Sequence, residues 1–266
     1  MREDTQPDLS EMVPQIIERL SEGVLTLILN RPEKLNALDH DMVQALHAVL
    51  SRRWGDPEVR VIVFHGSGTR AFVGGADISE LRDRGHDDAL RMINTHLFDR
   101  VANIPVPTIA AVRGFALGGG CELAVACDLR VAGESARFGQ PETGLGIMAA
   151  AGATYRLPQL IGLGRTRELL YTGRIIDAQE AMEIGLVNTV VGDEHVLFAA
   201  EEMGRTIARN DALALRMTKL ALAQVTAGGP ALQSFESTAQ AVLFDSDEKR
   251  RRMDEFLSRR GGSRRG

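Results

Sequence analysis

The chain has 266 residues, 44% hydrophobic and 25% charged, an ordinary globular composition with length enough for a sizeable core. Its net charge of −5, from 31 basic and 36 acidic side chains, argues against a general nucleic-acid surface. The polar start Met1–Asp8 has no apolar signal core and no run approaches membrane-spanning length, so a soluble cytoplasmic protein with no membrane partner is expected.

Residues 1 to about 12 are polar and are expected to be loosely ordered. Ile16 to Leu20 and Val24 to Leu29 flank Ser21-Glu22-Gly23 and predict a hairpin. The loop Asn30 to Leu38 follows, and Asp39 then reads as the N-cap of a helix whose apolar stripe is Met42, Leu46, Val49 and Leu50. Val61 to Phe64 predicts a strand that runs into a glycine-rich loop from Gly66 to Asp77. A helix is expected around Ala89 to Val101. Strands and helices in alternation predict an α/β arrangement.

The chain is organised around Gly114-Phe115-Ala116-Leu117-Gly118-Gly119-Gly120-Cys121-Glu122. Before it, Pro105 and Pro107 announce the β-branched run Thr108 to Val112; after it, Leu123 to Cys127 has no breaker. The reading is strand, glycine turn, buried helix. Successive glycines leave backbone N–H groups uncovered where a helix starts, and the helix dipole adds partial positive charge there. An oxygen that gains negative charge in a reaction is stabilised at such a place. Glu122, three residues after Gly119, shares that helix face and can point at whatever the amides hold. Close helix packing is the competing explanation of the glycines. The stretch lacks the Gly-Lys-Ser/Thr ending of a P-loop and the glycine spacing of a dinucleotide-binding turn.

A second glycine loop, Ala71 to Ile78, could expose another backbone donor just after a strand. Glu142 follows Pro141 near the end of a short strand, where a carboxylate is ordinarily a solvated group. The six histidines are scattered without metal-ligand spacing, and there is no Gly-x-Ser-x-Gly elbow. Cys121 and Cys127 share one apolar helical stretch and read as buried thiols of a reducing compartment.

Asp128 to Val131 predicts a strand. From Gly164 onward the pattern is mostly helical, with Leu186 to Val191 as one strand. Val196, Ala200, Met203 and Ile207 have helical spacing, as do Leu213, Met217 and Leu220; Gly228-Gly229-Pro230 breaks the run. The arginine-rich end, from Lys249 to Arg265, reads as a solvated helix face and frayed terminus. The organisation expected is a short start over 1–12, a core carrying the site over 13–195, and a helical region with the basic tail over 196–266.

Five segments together resemble the crotonase family, the enoyl-CoA hydratase/isomerase superfamily. They are Leu29 to Pro32 with Asn36-Ala37-Leu38, Ala71 to Ile78, Gly114 to Leu123, Phe138 to Glu142, and Thr172-Gly173 through Gln179 to Val187, in family order over nearly the whole chain. The resemblance implies a spiral of β-β-α turns with a helical C-terminal region that builds homotrimers, often paired into hexamers. It implies acyl-CoA thioesters as substrates and no cofactor, CoA being part of the substrate. By motif position the oxyanion donors fall on the amides of Ala76 and Gly119, beside Gly118. The CoA adenosine part falls to the loops around Lys34, Asn36, Ala37 and Leu38 and around Phe72, Gly74, Gly75, Asp77 and Ile78. Hydratases of this kind carry two glutamates, at the positions of Glu122 and Glu142. Adding water across an α,β double bond needs one group to deprotonate water at Cβ and another to deliver a proton at Cα. Single-site isomerases keep the Glu142-like acid. The chain departs from the pattern at Ala149-Ala150, where hydratases have Pro-Gly, although an amide remains at Ala150 to hold a water. It also departs at Ala153, at Ser79 and within Arg250-Arg251-Arg252. The activity implied is enoyl-CoA hydration, a carbon–oxygen lyase reaction. The alternatives are a Δ3,Δ2-enoyl-CoA isomerase, a hydratase for a specialised acyl group, or a non-catalytic acyl-CoA or RNA binder of the same fold.

Overall fold

The computed structural model describes residues 14–224 and 229–262; the polar start and the last arginines of the tail lie outside the described residues. The predicted hairpin forms from β1 (Ile16–Ser21) and β2 (Val24–Leu29), antiparallel with Ser21 opposite Val24. Glu22 and Gly23 both take positive φ, 51° and 80°, as a two-residue hairpin turn requires. Asp39 caps α1 (His40–Arg52), its carboxylate accepting from the Met42 N–H at 2.8 Å. The stripe Met42, Leu46, Val49 and Leu50 is buried as its spacing predicts.

From β3 (Val61–Gly66) the finer division departs from expectation. The glycine-rich loop contains β4 (Ala71–Val73), an additional α2 (Ile78–Asp83) follows it, and the single helix expected around Ala89 to Val101 is divided between α3 (His86–Leu90) and α4 (Ile93–Asn103). Met92, at φ 49° and ψ 38°, separates the last two, because a left-handed residue cannot continue a right-handed helix. The central segment is β5 (Thr108–Val112), an additional β6 (Phe115–Leu117), and α5 (Gly119–Ala126). Then come β7 (Leu129–Gly133), β8 (Arg137–Gly139) and a 3-10 helix at Pro141–Leu145. Next is α6 (Ala153–Thr172), which begins before Gly164 and breaks at Gly162. β9 (Ile175–Asp177), α7 (Ala178–Glu183) and β10 (Thr189–Val191) follow, so only the end of Leu186 to Val191 is extended. The chain closes with α8 (Val196–Ala208), α9 (Ala212–Ala223), α10 (Gly229–Phe244) and α11 (Asp247–Gly262).

Two sheets organise these elements. One has the order β1-β2-β3-β5-β7-β10 and the other β4-β6-β8-β9; pairing is parallel except for β1–β2 and β8–β9. The successive pairs β3/β4, β5/β6 and β7/β8 each give one strand to either sheet before a helix returns the chain. That winding is the spiral of β-β-α turns that the family resemblance implies.

Strands β2, β3 and β5 are buried on both faces, as parallel strands between layers must be. Leu25, Leu27, Ile62, Phe64 and Ala110 enter the main core, while Val24, Val61, Val63, Ile109 and Ala111 meet Val196 and Ala200 of α8. Helix α8 therefore shares the core of the sheet. The later helices stand farther off, tied in where Lys219 of α9 reaches Asp128 at 2.7 Å and the Val106 carbonyl at 2.9 Å. On α11, Arg250, Arg251 and Arg252 pair with Asp247 and Glu248, a solvated helix face. No helix among the described residues is long and apolar enough to cross a membrane.

Candidate active site

All eight residues of α5 are buried, and the helix begins at the glycine run. Gly118, at φ 50° and ψ −121°, is its N-cap and donates its N–H to the Gly139 carbonyl of β8 at 2.9 Å. A Cβ on Gly120 would overlap the Val73 carbonyl oxygen, so a glycine there lets α5 start directly against β4. The first-turn amides are left without intrahelical partners.

The second donor comes from the loop after β4. Ala76 forms a parallel bridge with Leu38, in which Leu38 N–H donates to the Gly75 carbonyl at 2.8 Å and Asp77 N–H to the Leu38 carbonyl at 3.2 Å. Those bonds use the groups flanking Ala76 and turn its own N–H to the opposite side. There the Ala76 nitrogen lies 3.6 Å from where a Cβ on Gly119 would stand. The loop after β4 thus brings the Ala76 amide beside the first residue of α5, next to the glycine run.

Two carboxyl groups flank this cradle in different surroundings. Glu122 is 3% exposed, and its Oε1 accepts from the amides of Ala151 at 2.7 Å and Ala153 at 3.1 Å. Burial raises its pKa, opposed by those two amides and by the charge of Arg156. Glu142 lies on the 3-10 helix that follows the end of the short strand β8, and a Cβ on Gly118 would stand 2.8 Å from its Oε1. Burial drives the Glu142 carboxyl up to about 7, with the negative charge of Glu122 adding to the rise. In the amide orientation that satisfies both groups, the Gln140 nitrogen donates to the two Glu142 oxygens at 3.0 and 3.1 Å.

A cleft of about 870 Å³ opens over the cradle. Of the residues picked from the sequence it brings together Gly74, Gly75, Ala76, Ile78, Gly118, Gly119, Glu122, Glu142 and Ala150. The others lie off its wall. Phe72 is fully buried, because the alternation of β4 turns its ring into the core. Asn36 is also fully buried, and its carboxamide donates to the carbonyls of Ser67 and Ala71 and accepts from Arg31 N–H. It knits two loops and has no surface to offer a ligand. Leu38 packs beneath the cradle, with Cδ1 3.7 Å from the Gly119 Cβ position, and Ala37 is half-buried beside it. Asp77 caps α2 and pairs with Arg31, while Lys34 is exposed at the end of a separate 3-10 turn, Pro32–Lys34.

Ala150 lines the cleft, yet its recorded tie is through its carbonyl, which accepts from Thr95 Oγ1 at 3.1 Å. The amides that grip the Glu122 carboxylate are those of Ala151 and Ala153. Sequence reasoning also missed Gln140, Asn94 and Thr95 on or beside this wall. Gln140 sits inside a recognised motif, but the two α4 residues follow no motif and gain meaning only where α4 meets α5. The Asn94 Oδ1 is buried without a hydrogen-bond partner, and its Nδ2 lies 3.9 Å from the Gly119 Cβ position. Cys121 and Cys127 are buried free thiols pushed up to about 12 by burial, which suits packing and not nucleophilic work. Among the described residues no group of His, Cys, Asp and Glu is placed to hold a metal ion.

The chain is similar to known proteins over nearly its whole length. The enoyl-CoA hydratase/isomerase family model matches residues 19–263. A short-chain-enoyl-CoA hydratase of Clostridium acetobutylicum is 38% identical over 89% of this chain and 92% of the relative. A crotonyl-CoA hydratase of Syntrophomonas wolfei is 38% identical over 92% of this chain and 95% of its own. The crystal structure of an enoyl-CoA hydratase from Bacillus anthracis superposes with a TM-score of 0.89 at 34% identity, covering 92% of this chain and 96% of that one. With the glycine cradle, the spiral and the paired glutamates in place, the chain belongs to the enoyl-CoA hydratase/isomerase family.

Proposed function

We propose that this protein is an enoyl-CoA hydratase that adds water reversibly across the double bond of a trans-2-enoyl-CoA to give a 3-hydroxyacyl-CoA. The observation that carries the reading is a pair of carboxyl groups, held in unlike surroundings, beside one cradle of two backbone amides. The thioester oxygen sits between the amides of Ala76 and Gly119, which stabilise the negative charge it gains as water attacks. Glu122 takes a proton from water as the new C–O bond forms at Cβ. Glu142, with a pKa near neutrality, delivers the proton that makes the C–H bond at Cα. Each carboxyl changes protonation state once, and exchange with solvent resets the pair.

No cofactor is needed beyond the CoA portion of the substrate. The exposed Lys34 and the loop Gly74 to Ile78 are the surface for its adenosine part. The helical region after residue 195 serves assembly into a homotrimer or a dimer of trimers. The exposed Leu220, Leu222, Val242, Phe244 and Met253 support that reading. Light scattering is expected to give a mass of three or six chains, and a monomer at micromolar concentration would refute it. A cytoplasmic location fits the two unlinked thiols. The activity is tested by following loss of the conjugated enoyl absorbance of crotonyl-CoA and of longer enoyl-CoAs. An enzyme that hydrates none of them is not a hydratase.

A further inference from the structure

Glu122 owes its orientation to a turn, and that turn is itself held from outside the cradle. The Ala151 N–H that binds Glu122 Oε1 at 2.7 Å belongs to the same peptide group as the Ala150 carbonyl. A trans peptide points its N–H and C=O in opposite directions, so whatever grips that carbonyl also aims the N–H. The grip comes from α4, where the Thr95 hydroxyl donates to the Ala150 carbonyl at 3.1 Å. Thr95 is 8% exposed, so the donor side of this part-buried bond is largely covered. The next peptide is fixed as well: Arg156 donates to the Ala151 carbonyl at 3.1 Å. Arg156 is anchored in turn on Asp99, one turn along α4 from Thr95, at 2.5 Å, and Tyr155 O–H donates to the same carboxylate at 3.0 Å. A Cβ on Gly152 would overlap the Arg156 guanidinium, so the glycine is what lets the arginine lie across the turn.

From this chain of contacts we infer that Thr95 is a positioning residue for the proposed hydration. It acts through the Ala150–Ala151 peptide to hold the Glu122 carboxylate towards Cβ, with Asp99 and Arg156 bracing the next peptide of the same turn. Hydrogen bonds in series polarise one another, so a donor on the carbonyl also strengthens the N–H on the far side. The inference rests on the hydratase reading for its consequence in turnover. Its structural content, one hydroxyl orienting one amide, is separate from that reading.

The test is Thr95→Val, which keeps shape and removes the hydroxyl, with Thr95→Ser to restore it. Loss of one orienting hydrogen bond corresponds to roughly three- to tenfold in kcat for hydration, with KM little changed. Deuterium exchange at Cα of a saturated acyl-CoA in heavy water needs only the Glu142 side and is expected to stay at the wild-type rate. Thr95→Ser is expected to recover most of the lost hydration. Equal loss of hydration and exchange, no loss at all, or a serine variant no better than valine would each overturn the inference. The Ala151 amide proton, followed by NMR, reads the relay without any turnover: it is expected to move upfield in Thr95→Val and back in Thr95→Ser. If wild-type protein fails to hydrate enoyl-CoA yet that proton responds, the hydratase reading falls and the relay stands. If the proton is indifferent to both substitutions, the relay falls.

Discussion

The two carboxyl groups of the cleft line its wall around the glycine run, and the protein treats them differently. Glu122 stands on a wholly buried helix, gripped by two backbone amides and within the field of Arg156. Glu142 stands half-buried on a largely exposed 3-10 turn, with a side-chain amide from Gln140 as its neighbour and burial pushing its pKa up to about 7. Backbone amides can only donate, so at Glu122 they oppose the upward push of burial, which still prevails. The Glu142 site opposes charge by burial and by the neighbouring carboxylate, and so keeps a proton available near neutral pH. The difference is what the proposed hydration mechanism uses, with one group taking a proton from water and another giving one to carbon.

That comparison breaks most visibly by substitution. Positioned acid–base groups contribute on the order of 10²–10⁴ each, so Glu122→Gln and Glu142→Gln should both lose hydration on that scale. They should differ in Cα exchange of a saturated acyl-CoA in heavy water: Glu122→Gln keeps it and Glu142→Gln loses it. Wild-type hydration by Glu122→Gln would show that one acid suffices, and an isomerase reading would then replace the hydratase one.

A smaller effect, tenfold per pH unit, sharpens the assignment of states. Hydration requires Glu142 protonated, so kcat/KM should fall as pH rises through about 7. Cα exchange requires the same group ionised, so its rate should climb with pH up to about 7 and then level. Two pH profiles measured from about pH 6 to about 9 should therefore bend in opposite senses around one value. Parallel profiles would mean that Glu142 is not the shared acid and base.

The smallest expected effect concerns the wall beside Glu122. Ala149 is buried and Ala150 lies on the cleft, where a methyl group takes space next to the turn that holds the carboxylate. Replacing the pair by Pro-Gly is expected to change the ratio of kcat/KM between short and long enoyl-CoAs by a few-fold, about the worth of one methyl group in a pocket. An unchanged ratio across chain lengths would show the two alanines to be silent.

How much of this was legible beforehand varies with the range of the interactions involved. Asp39 announced α1, and its stripe declared which face goes inside, because capping and amphipathic spacing are local. The glycine run announced α5, and Glu122 followed from helical spacing alone. Strands β4, β6, β8 and β9 were harder, since three residues are too few to display an alternation. The break at Met92 carried no glycine or proline to mark it. Phe72 and Asn36 belong to the family's motifs, yet they serve the core and the loop junction, a distinction that only burial reveals.

By itself, then, the sequence determined the spiral's family and singled out the glycine run and the two glutamates that line the cleft, because each is written in residues within a few positions of one another. Tertiary structure alone decided that Ala76 meets Gly119, that Thr95 and Arg156 bond to the turn holding Glu122, and that burial lifts the Glu142 carboxyl to about 7. These depend on burial and on the approach of elements 20 to 60 residues apart in the chain, roughly the span of whole β-β-α turns. Desolvation and close contact belong to the folded arrangement, and no local pattern encodes them.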